Sequence, residues 1–164
     1  MNTKKLTFSA VMAGLAVAFM WMTAVIPPLD LSFCGAAAIC VALAAARGGT
    51  AWGAMSYAVT AVLAALFLPN KAMVMFFAAM FGPYPLIRRL CLGIPSKATR
   101  WIVKLAFVNV SAIGAFLLFR WAFTEIDGAL WQQALLLLLY NAAMIVYDFV
   151  LVRLEDIAKK RFKL

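Results

Sequence analysis

Apolar runs long enough to cross a bilayer recur along the whole of this sequence, and that recurrence limits the fold more than any other feature. The runs cover residues 6–26, 31–46, 51–68, 72–87, 101–123 and 129–152, and each is closed by charged residues or by Gly and Pro. A spanning helix needs about 20 mostly apolar residues because the hydrocarbon core is roughly 30 Å thick. Only 13% of the residues are charged and 67% are hydrophobic. A soluble domain carries about a quarter charged residues. The reading is therefore all-α, one integral membrane domain over residues 1–164 with six transmembrane helices. The run at 31–46 is short and alanine-rich, so it is expected to be shielded by its neighbours.

Charge sets the orientation. Arg88, Arg89, Lys97, Arg100 and Lys104 cluster between the fourth and fifth runs, around a turn carrying Gly93 and Pro95. With Lys4, Lys5, Arg47, Arg153 and the basic C-terminal residues they fall on one side of a six-crossing topology, leaving only Lys71 and Arg120 on the other. Cytoplasmic loops are the ones enriched in Lys and Arg, so both termini are expected in the cytoplasm. The same bias accounts for the net charge of +9 without invoking nucleic acid. Trp52 and Trp101 fall at inner helix ends and Trp121 and Trp131 at outer ends, where indole rings favour the headgroup layer. The N-terminal run is longer than a signal peptide's apolar region and ends in Ile26-Pro27-Pro28, so it reads as the first membrane helix.

The candidate functional residues are few. Ala10, Gly14 and Ala18 repeat every four residues and share one helix face, smooth enough for another helix to approach closely. That face suits either packing inside the bundle or docking of a separate protein. Asp148 is the one acidic residue inside a proposed span, about one turn from its cytoplasmic end. A charge at that depth needs a partner. Arg88 and Lys104 lie at matching depth, and the Arg88 guanidinium can hold a carboxylate through two hydrogen bonds. Asn109 shares a face with Arg120, and Asn141 with Asp148. At the outer surface, Asn70, Lys71, Arg120, Glu125, Asp127 and Trp131 form a polar and aromatic set that could hold a small-molecule substrate or serve as interfacial anchors.

No phosphate-binding loop, nucleophile elbow or paired membrane carboxylates occur, and histidine is absent, so no catalytic residue, metal site or cofactor is expected. The three cysteines have no metal-ligand spacing and are expected to stay unpaired. Active transport would then draw its energy from a partner or an ion gradient.

A six-helix protein of this size, with cytoplasmic termini and the small-residue face of Ala10, Gly14 and Ala18 on its first helix, resembles the substrate-binding S components of energy-coupling factor (ECF) transporters. The resemblance implies a multi-pass protein of the bacterial inner membrane. It implies that the first helix docks on a transmembrane coupling subunit served by two ATPase subunits, and that a vitamin-like micronutrient binds from the outer side. Two alternatives stand beside it: a non-transporting scaffold of the MreD type, and a small stand-alone oligomeric transporter. At the outer face, a closed pocket favours the binding protein and a filled one the scaffold, and ionisable groups at the midplane would mark the stand-alone transporter.

Overall fold

A computed structural model of the chain describes residues 3–122 and 130–162. The described residues are helical apart from short turns, with no strand among them. Seven α-helices follow in order: α1 (Thr3–Val25), α2 (Asp30–Gly48), α3 (Thr50–Phe67), α4 (Lys71–Phe76), α5 (Tyr84–Cys91), α6 (Lys97–Ala122) and α7 (Leu130–Phe162). A short 3-10 turn, Pro27–Leu29, leads into α2, and a π-helical turn, Phe77–Phe81, lies between α4 and α5.

Among the described residues, four helices are long and apolar enough to cross a membrane: α1, α2, α3 and the Leu137–Leu154 part of α7. Their surfaces suit lipid rather than water. Leu66 of α3, Val110 of α6 and Leu138 of α7 are each about two-thirds exposed, while the ionised Arg88 and Asp148 are buried. Charged residues are almost never buried unless paired, and these two are paired with each other.

The alanine-rich α2 is the axis of the bundle. Half of its spanning window is buried, against 28% for α1 and 22% for α3. Its Ala37, Ala38, Val41 and Ala44 are fully enclosed. Lipid tails are as apolar as leucine, so membrane helices associate through close packing, and small side chains permit it. A Cβ added at Gly53 of α3 would stand only 2.5 Å from the Ala45 Cβ, which measures how closely α2 and α3 approach. Gly49 makes the turn between them at φ 102°, a left-handed conformation that favours glycine, and its N–H donates to the Ala45 carbonyl.

The run at 72–87 departs from the single helix expected of it. It is built from α4, the π turn and α5, and it continues to Cys91. Local chemistry causes the break. Pro83 and Pro85 have no N–H to donate, and the Gly82 N–H donates to the Phe77 carbonyl at 2.7 Å instead of to Ala78. The Ala78 carbonyl is left without its helical donor and accepts instead from the Tyr57 hydroxyl of α3 at 2.7 Å. Gly82 lies so close against the Tyr57 ring that a Cβ there would stand only 2.5 Å from it. Two further boundaries move. The fifth helix starts at Lys97, inside the basic stretch, and the last runs past 152 to Phe162, so most of the polar C-terminal segment is helical.

Candidate functional site

The broken segment positions the polar centre of the molecule. Tyr84 and Arg88 are four residues apart on α5 and so share a face. Both reach Asp148 of α7. The Tyr84 hydroxyl donates to Asp148 Oδ1 at 2.9 Å, and Arg88 Nε stands 3.1 Å from the same oxygen. From α6, Lys104 Nζ donates to Oδ2 at 2.7 Å. Both cations considered for Asp148 therefore meet it, joined by a tyrosine that sequence reasoning passed over. Asp148 is 3% exposed and Arg88 6%. At that burial a lone charge is costly, and the network answers by giving both carboxylate oxygens charged donors. Lys104 also lies over the Trp101 ring, 5.1 Å from its centroid, and Trp101 in turn packs on Phe149 of α7.

Further along α6 and α7, Asn109 and Asn141 exchange two hydrogen bonds, at 3.2 and 3.1 Å. This pairing is reciprocal, each amide donating to the other's oxygen.

Beside the polar cluster lies a cavity of about 930 Å³, bounded by α2, the broken segment, α6 and α7. Tyr147 connects the two. It lines the cavity, follows Tyr84 at 6.0 Å between ring centroids, and meets the Phe81 ring edge-on at 5.6 Å. Its hydroxyl donates to the Gly35 carbonyl of α2 at 3.3 Å. Met80 and Met144 supply buried thioethers to the same wall. Among the described residues none that lines the cavity is ionised.

The outer-surface set behaves differently from a converging site. Asn70 caps α4, its Oδ1 accepting from the Met73 N–H at 3.2 Å while its amide donates to Asp30 Oδ2 at 3.5 Å. Lys71 donates to the Ala65 carbonyl at 2.6 Å. Trp131 is 66% exposed. None of the three lines the cavity. Glu125 and Asp127 lie outside the described residues, as does the side chain of Arg120.

On α1, Ala10, Gly14 and Ala18 all point outward, and a Cβ built on Gly14 meets nothing within 4 Å. The opposite face, with Ser9, Ala13, Ala16, Met20 and Thr23, packs into the bundle. Among the described residues, nothing packs against the Gly14 position of this face.

The sequence signal for the cavity was the interrupted helix. Gly/Pro-interrupted apolar segments mark binding sites in many transporters, and π turns concentrate at functional sites. Gly82, Pro83 and Pro85 carry that signal, although their position near the end of an apolar run reads equally as a helix terminus. Comparison with protein-family models, with curated proteins and with solved structures finds no match.

Proposed function

We propose that this protein is the substrate-binding membrane subunit of an uptake transporter of the ECF type. In this reading it crosses the bacterial inner membrane six times with both termini in the cytoplasm. The composite segment 71–91, about 30 Å long at 1.5 Å per residue, makes the fourth crossing, and α6 makes the fifth. The substrate occupies the cavity beside Tyr147, α1 docks on a coupling subunit, and two partner ATPases supply the energy.

The observation that carries the reading is the separation of the two surfaces. The cavity is lined from α2, the broken segment, α6 and α7, with no described residue of α1, while the face of Ala10, Gly14 and Ala18 lies open. A binding subunit that must engage a partner while holding a ligand needs these two surfaces apart. An unfilled cavity also favours a binding protein over a scaffold, whose core would be packed solid.

Purification from mild detergent tests it. Wild-type protein is expected to bring down a membrane coupling subunit and two ATPases. Gly14→Leu is expected to keep the wild-type melting temperature and lose all three. Retention of the partners by Gly14→Leu, or recovery of no ATPase with the wild type, overturns the proposal.

A further inference from the structure

Resting on that reading, we infer that the cavity takes an uncharged, ring-bearing lipophile that enters from within the bilayer. The lining decides the charge. It offers hydrocarbon, thioether and aromatic surface, with hydroxyls only on Ser32, Tyr140 and Tyr147 among the described residues. The Tyr147 hydroxyl is engaged by the Gly35 carbonyl, while the buried Tyr140 hydroxyl has no hydrogen-bond partner among the described residues and can offer a ligand one neutral hydrogen bond. The charged side chains of Arg88, Lys104 and Asp148 face one another, and Tyr84, which bonds Asp148, packs against Tyr147 of the lining. Among the described lining residues a charged ligand would therefore lose its water without gaining a counter-ion.

The route follows from the rim. Leu31, Ile113 and Leu139 line the cavity and are 58, 56 and 55% exposed, and each stands on an apolar helix surface. An opening bounded by such side chains faces lipid. A plain acyl chain gains nothing from the hydrophobic effect on leaving lipid for an apolar cavity, since both are equally dry. Selective retention then needs contacts that lipid lacks. The edge-to-face pair of Phe81 and Tyr147, flanked by Met80 and Met144, provides them for a ring, because aromatic edges and thioethers favour aromatic and conjugated partners. The volume of about 930 Å³ falls within the range of small-molecule pockets.

The test is native mass spectrometry of the purified protein with two neutral ring-bearing probes, retinol and dehydroergosterol, and two charged water-soluble ones, thiamine and pantothenate. At least one neutral probe is expected to bind one per chain and to displace co-purified phospholipid. Ala112→Phe, which places a ring in the cavity, is expected to weaken that binding about tenfold, a difference readily resolved in Kd. Ala143→Phe repeats the test at a second wall should the first variant fail to fold. Binding of thiamine or pantothenate instead overturns the inference and leaves the substrate-binding function standing. Retention of phospholipid alone, displaced by no probe, overturns the inference. Neutral-probe binding unchanged in both variants shows that the cavity is not the site and removes the substrate-binding reading with it.

Discussion

The first three helices and the rest of the chain are held together by different physics. In α1–α3 the packing is nearly all small and apolar, and the buried polar groups stay close to backbone. Thr23 donates to the Met20 carbonyl at 2.7 Å, and Thr60 to the Ser56 carbonyl at 2.8 Å. In α4–α7 the helices meet through long polar side chains: Tyr84, Arg88 and Lys104 on Asp148, and Asn109 on Asn141. The first mode brings backbones close. The second holds helices at side-chain length, and the cavity lies where α2 meets that part of the chain. In the proposed reading the docking face of α1 and the ligand site are kept apart in this way.

The largest test of that contrast is charge removal. Asp148→Asn leaves the buried Arg88 and the half-buried Lys104 without their carboxylate and is expected to cost about 3–5 kcal/mol, measured by thermal unfolding in detergent. The triple change of Arg88, Lys104 and Asp148 to Met, Met and Leu should recover most of the loss, because no charge is left unpaired. An unchanged melting point for Asp148→Asn would mean that the polar cluster does not hold the second half together.

Close approach gives the next effect. Gly53→Ala and Gly82→Ala each force a Cβ to within 2.5 Å of a neighbour, and each is expected to cost about 1–3 kcal/mol. Gly114→Ala on α6, where nothing lies within 4 Å, is expected to be neutral or slightly stabilising. Equal losses at Gly53 and Gly114 would erase the distinction between a tight and a loosely spaced half.

Smaller effects refine it. Tyr57→Phe strips the Ala78 carbonyl of its donor and should cost about 1–3 kcal/mol, the lower end applying if the π turn relaxes. Asn109→Ala should cost about 0.6–2 kcal/mol, typical of an interhelical hydrogen bond in lipid. Gly14→Leu should change stability least of all, since its side chain enters open space. A fall of more than about 1 kcal/mol at Gly14 would place that face inside a packed contact.

Much of this was legible in the sequence because it depends on one helix at a time. Hydropathy marks the apolar runs, Gly48 and Gly49 mark the turn after α2, and a rise of about 1.5 Å per residue puts Arg88, Lys104 and Asp148 at one depth. The end of α7 was not legible in that way. Hydropathy reports where lipid stops, whereas Leu154, Ala158, Lys159 and Lys160 are good helix formers that carry the helix on to Phe162. The cavity was hidden for a different reason. It belongs to no single run, and forms where Gly35, Phe81, Ala112 and Tyr147, distant in sequence, are brought side by side. Nothing in the sequence marks Tyr84 as a partner of Asp148, 64 residues away, because a tyrosine carries no charge that calls for a carboxylate.

The π turn at Phe77–Phe81 makes chain length itself a functional variable. Its ring of backbone bonding holds one residue more than an α turn, seen in the Gly82 N–H reaching Phe77. Pro83 and Pro85 would keep the segment broken after a one-residue deletion here, but the register beyond it would change. Everything beyond would then shift by as much as one helical position, about 100° and 1.5 Å, toward α4. Tyr84 and Arg88 would turn off Asp148 together, and the aromatic floor of the cavity would go with them. A single-codon deletion here would thus do what no point substitution can, re-aiming an entire wall of the bundle while leaving its composition almost untouched.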